Sequence, residues 1–223
     1  MITNLTVTEY TEEYYKEHAE KGLDYLGHGY WQEQYALMVL DACNTSGVVM
    51  DAGCACGSIL QGFKKAGQKV MGFDLNEHMI AIGREHFSFT EDELQCKSIS
   101  NTGLKEESVD LVHSAQVLEH IDDKYIDEIL AEFMYVLKPE GKAFLCLDAI
   151  KFGEDKEMYM GDPTHINIQP TAYWAKKFQK HGFCFDVEAF TKFVNSPYKP
   201  ETDSNKNFFN HYPYWTTFTL IKL

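Results

Sequence analysis

The chain lacks any uninterrupted run of about 18 apolar residues, so no membrane-spanning helix is expected and no membrane partner is assigned. Its first residues, MITNLTVTEYTEEYYKEHAEKG, carry no basic patch leading into an apolar stretch, so no secretory leader is read there and a cytoplasmic location is expected. Basic residues are scarce: 20 Lys and Arg stand against 34 Asp and Glu, a formal net charge of −14. That balance argues against a broad surface tracking nucleic-acid phosphates, and no nucleic acid partner is expected. Cysteine pairs at disulfide-framework or zinc spacing are also missing. The six cysteines (Cys43, Cys54, Cys56, Cys96, Cys146, Cys184) are scattered, which fits reduced thiols. There is no internal repeat and no low-complexity tract. What is present is a 223-residue chain, 44% hydrophobic and 14% aromatic, long enough to bury a sizeable core.

From Val48 onward, short β-branched or apolar runs alternate with longer amphipathic ones, the pattern of βαβ units. Strands are expected at Val48–Asp51, Lys69–Asp74, Leu94–Ser98, Ser108–His113, Lys142–Asp148, Phe183–Phe190 and in WTTFTLIKL at the end of the chain. Helices are expected at Gly57–Ala66, from Asn76 through EHMIAIGREHF, from Ile121 to the stop at Pro139 and Gly141, and at Thr171–Lys180. Seven strands with intervening helices predict an α/β fold with one doubly wound, mostly parallel sheet. Residues 1–45 read as a helical lid segment and 46–223 as the catalytic domain, together one domain. Residues 195–213 form a long polar loop with interspersed aromatics, which would serve an acceptor pocket or a homodimer equally well.

Chemistry enters where the first strand ends. Asp51-Ala52-Gly53-Cys54-Ala55-Cys56-Gly57 turns from strand to helix, and its glycines permit positive φ and close backbone approach to a ligand. The second strand ends in Asp74, where an acid in this architecture accepts the hydroxyls of a ribose. The same loop could need glycine for packing alone, and Asp74 could be a solvated strand end or a helix cap. Glycines at 53 and 57 with Ala55 between them do not follow the Gly-x-Gly-x-x-Gly spacing of nicotinamide or flavin sites.

The loop resembles motif I of the class I S-adenosylmethionine-dependent methyltransferases, with alanine in place of the central glycine. SVDLVHSAQVLEHI resembles their fourth motif and LKPEGKAFL the stretch after it, so the likeness runs from Val48 to Leu145. It implies the Rossmann-like methyltransferase fold with S-adenosyl-L-methionine as cofactor. Carried over, Asp51, Ala52, Gly53, Cys54 and Gly57 surround the amino-acid part of the cofactor and Asp74 holds its ribose. Leu75 and Met79 flank the adenine, and Ser98 and Ile99 take the place of a third-strand pair that usually contains an acid. Ala115 and Gln116 line the mouth through which the methyl group passes, and Tyr14, Tyr15 and Trp31 belong to a covering segment.

Methyl transfer from a sulfonium is an in-line displacement with a good leaving group, so positioning is the main requirement, although a hydroxyl acceptor also needs a base. His165, in the loop after the fifth strand, is the candidate general base, with Asp162 to orient it; Glu119 and His120 are further catalytic candidates. His113 reads as a satisfied core histidine. Gln116, Glu119, His120 and His165 resemble the Glu-x-x-Glu-His plus distant His of magnesium-dependent small-RNA and ubiquinone-pathway O-methyltransferases. The first glutamate of that set is Gln116 here, so no metal is assigned. The expected function is methyl transfer to an oxygen or nitrogen of a small organic acceptor. Methylation of a peptide or protein side chain, and a non-catalytic interaction module on the same fold, remain alternatives.

Overall fold

A computed structural model describes residues 30–150, 164–198 and 216–223. Its elements are α1 (Tyr30–Cys43), β1 (Val48–Ala52), α2 (Ser58–Lys65), β2 (Lys69–Asp74), α3 (Glu77–Phe87), β3 (Leu94–Cys96), β4 (Val109–Ala115) and a 3-10 turn (Leu118–His120). They continue with α4 (Asp123–Val136), β5 (Leu137–Cys146), β6 (Ala149–Ile150), β7 (Gln169–Pro170), α5 (Thr171–Lys180), β8 (Phe183–Phe185), α6 (Val187–Val194) and β9 (Thr217–Lys222). Seven strands form one sheet in the order β3-β2-β1-β4-β5-β9-β8, while β6 and β7 pair apart from it. β9 runs antiparallel to both neighbours and the other ladders are parallel. The doubly wound, seven-stranded, mostly parallel sheet expected from the sequence is what is found.

The central strands are apolar on both faces because both faces are covered. Val49, Leu111 and Phe144 point to one side, where Tyr35 and Val39 of α1, Leu60 and Phe63 of α2, and Phe193 of α6 meet them. Their chain neighbours Met50, Val112 and Leu145 point to the other, onto Ile129 and Phe133 of α4 and Trp174 and Phe178 of α5. Each such fully buried side chain contributes about 1.5–3 kcal/mol. α1 therefore belongs to the core: Tyr35, Ala36, Met38 and Val39 are fully buried. The lid expected over residues 1–45 keeps only residues 1–29, which lie outside the described residues, as does most of the 195–213 loop.

Several boundaries differ from expectation. α4 stops at Val136, not near Gly141, because Pro139 disfavours helical backbone at Lys138; Leu137 turns extended and pairs with Val109, so β5 begins there. The segment expected as a strand to Phe190 is a strand only to Phe185. Asp186 then caps α6, its Oδ1 accepting from the Ala189 amide at 2.9 Å, which buries Ala189 and Phe193. β3 ends at Cys96, leaving Ser98 outside the sheet.

Candidate functional site

The glycine loop is fixed by backbone geometry. Gly53 (φ 75°) lies so close to the chain after β4 that a Cβ there would come within 2.4 Å of Val117 Cγ2, and Gly57 (φ 81°) sits in left-handed backbone at the start of α2. Ala55, standing where the motif has its central glycine, takes the same region at φ 47°. Its amide donates to Asp74 Oδ2 at 2.9 Å, and the Gly53 amide donates to the Phe73 carbonyl at 2.8 Å, so the end of β2 holds the loop. Asp74 Oδ1 accepts from the Asn76 amide at 2.8 Å; burial pushes the carboxyl above its ordinary pKa, and those amide donors oppose it. Asn76 in turn caps α3 by accepting from the Met79 amide at 3.0 Å.

Around this loop the structure gathers most of the expected cofactor residues. Leu75 follows Asp74 directly, its carbonyl 3.6 Å from Cys96 Sγ, and the Lys97 amide donates to the Asp74 carbonyl, which brings the segment leading to Ser98 and Ile99 alongside. Ser98 Oγ is 2.9 Å from Ser100 Oγ. Ala52, Cys54 and Ile99 turn their side chains into the core, and Met79 is buried as well, so Ala52 and Cys54 offer a ligand backbone and not side chain. Ala115 ends β4, and Gln116, at φ 57°, donates its amide to the Cys146 carbonyl at 2.8 Å. Trp31 lies in the first turn of α1, its side chain outside the description; Tyr14, Tyr15 and Asp162 lie outside the described residues altogether.

Asp51 is where the sequence reading was incomplete. It is 3% exposed, and its Oδ1 lies 2.7 Å from Nδ1 of His113, itself 1% exposed; His113 Nε2 lies 3.0 Å from the Tyr35 hydroxyl. His113 is the satisfied core histidine that was expected, but its partner is the first residue of the glycine loop. Only the register shows this, since Asp51 and His113 stand side by side on β1 and β4.

Beyond Val117, the loop after β4 carries Glu119 and His120, and the segment entering β7 carries His165. Their ligand atoms all lie within 4.8 Å of one another, and the two imidazole rings are 4.7 Å apart. Glu119 is fully buried; its Oε1 accepts from the Asp148 amide at 2.9 Å, and its Oε2 has no partner among the described residues. Burial pushes this carboxyl from 4.5 to about 8. His120 Nδ1 lies 3.2 Å from the Thr164 carbonyl and 2.9 Å from its hydroxyl, which places the proton of the neutral ring on Nδ1 and makes Nε2 the basic nitrogen. Asp148 Oδ2 is 3.9 Å from His165 Nδ1, an ion-pair distance longer than a hydrogen bond, and Asp162, expected to orient that ring, lies outside the described residues. Asn167, which sequence reasoning missed, donates its amide to the Glu119 carbonyl at 2.8 Å and has a buried Nδ2 without a partner among the described residues. Cys146 next to this cluster stays a thiol, since burial pushes it up to about 12.

Of the magnesium set implied by the sequence resemblance, Glu119, His120 and His165 are brought together, while Gln116 is neutral and its Nε2 lies 3.9 Å from Cys146 Sγ, so the set is short of one carboxylate.

Residues 49–141 match the family described as "Methyltransferase domain". A ubiquinone biosynthesis O-methyltransferase of Hydrogenovibrio crunogenus is 32% identical over 99 residues, 43% of this chain and 40% of that protein; the match thus spans about two fifths of the relative's length. Among solved structures, the putative methyltransferase in complex with the Haloferax volcanii Trm112 methyltransferase activator is 18% identical, with a TM-score of 0.63 over 94% of this chain and 95% of that one. Geranyl diphosphate C-methyltransferase from Streptomyces coelicolor, solved with S-adenosyl-L-homocysteine, is 15% identical with a TM-score of 0.59, covering 83% of this chain and 73% of that one. These two likenesses concern the fold.

Proposed function

We propose, for a chain whose residues 49–141 match a methyltransferase domain family, that the protein transfers the methyl group of S-adenosylmethionine to a hydroxyl oxygen of a small organic acceptor. The observation that carries the acceptor side is the Glu119 carboxyl group: fully buried, with Oε2 unpartnered among the described residues, and flanked by two imidazoles. A buried carboxyl oxygen in that state calls for a hydrogen-bond partner, and an acceptor hydroxyl supplies one. The cluster adjoins the cofactor loop through Val117, which packs on Gly53 two residues before Glu119.

In this reading Asp51, Gly53 and Gly57 bound the amino-acid end of the cofactor, Asp74 takes the ribose, and Leu75 with Ser98 and Ile99 borders the adenine. S-adenosylmethionine held there would supply an activated methyl group, which the acceptor oxygen would take as a C–O bond replaced the C–S bond and the electron pair stayed with sulfur. The acceptor's proton passes to an imidazole, with His165 the proton acceptor beside Asp148, and His120 held by Thr164 as its neighbour. Nothing in the step requires a cation.

Support from comparison is an O-methyltransferase among the relatives, matched over part of its length. Methylation of a nitrogen, or of a peptide side chain, would use the same cofactor half. The test is calorimetric titration with S-adenosylhomocysteine, with NAD as control, followed by acceptor screening with labelled S-adenosylmethionine. Micromolar binding of S-adenosylhomocysteine, near −8 kcal/mol, with no response to NAD is expected. Silence from both would leave an interaction module on this fold.

A further inference from the structure

We propose that His113 and Tyr35 are positioning residues of the cofactor site, holding the Asp51 carboxylate as the acceptor for the ammonium group at the cofactor's amino-acid end. The assignment rests on the methyltransferase reading above and extends it to two residues outside the glycine loop.

The chain of contacts runs from helix to sheet to loop. Tyr35 comes from α1, His113 from β4 and Asp51 from the end of β1, and the pairing of Asp51 with His113 across adjacent parallel strands sends both side chains to one face. A carboxylate can only accept, so it is Nδ1–H that donates to Asp51, while Nε2 pairs with the Tyr35 hydroxyl. The imidazole therefore cannot flip without breaking both bonds. Phe63 meets the ring edge-on at 5.3 Å and Phe144 stacks on it at 6.1 Å with 17° between planes, which keeps water away. In such surroundings a hydrogen bond to a charged group is strong and well oriented.

Packing alone does not call for this arrangement. The surrounding cluster is built from Met38, Val39, Leu60, Phe63, Phe144 and Phe193, and a polar chain buried among such residues carries a desolvation cost that an apolar side chain would avoid. The chain ends on Asp51, two residues before Gly53 brings the backbone into left-handed geometry. With Oδ1 committed to His113, contact with a cationic group of the cofactor falls to Oδ2. α1 is thereby part of the cofactor site through the Tyr35 hydroxyl.

The experiment compares two ligands, S-adenosylhomocysteine and 5′-methylthioadenosine, which lacks the amino-acid end, titrated into the wild type and into His113→Ala, His113→Asn and Tyr35→Phe. His113→Ala is expected to weaken S-adenosylhomocysteine about tenfold or more and methylthioadenosine less than about twofold. His113→Asn, whose amide N–H replaces the Nδ1 donor, should recover most of that loss; Tyr35→Phe should show a loss of about threefold confined to S-adenosylhomocysteine. Equal losses for both ligands, or no loss for either, would make the chain purely structural and overturn the proposal. Should His113→Ala not fold, Tyr35→Phe, which keeps the ring and the packing, decides by the same comparison. A wild type that binds neither ligand refutes the methyltransferase reading itself, and this assignment falls with it.

Discussion

Replacing Glu119 by glutamine should change how stability depends on pH. In the native protein burial raises this carboxyl from 4.5 to about 8, so between those values the folded state holds a proton that the unfolded chain has released. Stability therefore falls as pH rises through this window, and the loss is complete above about 8. A rise of that size corresponds to about 5 kcal/mol of folding free energy. Glutamine keeps the oxygen that accepts from the Asp148 amide and does not titrate. At pH 5, where native Glu119 is neutral, wild type and Glu119→Gln should agree within about 1–3 kcal/mol, the cost of leaving one buried amide donor unpaired. At pH 9 the variant should be the more stable, having gained about 4 kcal/mol relative to wild type over the interval. Urea unfolding followed by circular dichroism at both pH values gives the difference, and because every other titrating group is common to the two proteins, their contributions cancel. Parallel pH profiles would refute the claim that Glu119 is a buried acid without a strong donor at Oε2.

On the cofactor side, Asp74→Ala should weaken S-adenosylhomocysteine by roughly a hundredfold or more, through loss of charge-assisted bonds to the ribose; unchanged affinity in calorimetry would mean that Asp74 only anchors the loop through the Ala55 and Asn76 amides. His165→Ala should leave that affinity as it is while lowering turnover about a hundredfold, as removal of a general base does; a variant with wild-type turnover would return His165 to a turn residue. Protein treated with EDTA should keep its transferase activity, because the neutral Gln116 side chain is directed at Cys146; activity lost on chelation and restored by magnesium would show that the remaining donors suffice.

How much of this was legible in the sequence depends on what fixes each half of the site. The cofactor half is set by backbone conformation over short distances: a strand ending at Asp51, positive φ at Gly53 and Gly57, an acid at the end of the next strand, and Asn76 capping the helix that follows. Each has a residue type that betrays it, so loop, strand and cap could all be read in advance. Even the departure at Ala55 is absorbed, since its amide reaches Asp74 from left-handed backbone. Pro139 was legible as the stop of α4, but β5 already begins at Leu137, ahead of it, and Asp186 starts a helix inside an apparent strand.

The other half is set by convergence. Glu119 and His120 meet His165 and Asn167 across more than forty residues of sequence, and Asp51 meets His113 and Tyr35 through strand order and helix docking. No local pattern encodes such meetings; they require the sheet order, in which β1 and β4 are neighbours although β2 and β3 lie between them in sequence. That same order accounts for where the two halves lie. Two consecutive residues of β4, His113 and Ser114, are bonded to Asp51 and to the Ala52 carbonyl of β1, and the chain leaving β4 packs Val117 on Gly53 before it reaches Glu119. In the proposed function, the strand that orients the start of the cofactor loop also delivers the buried carboxyl group of Glu119, so the spacing between cofactor and acceptor would be governed by the β1–β4 ladder. A substitution that shifts this ladder should disturb turnover more than it disturbs the affinity for either ligand alone.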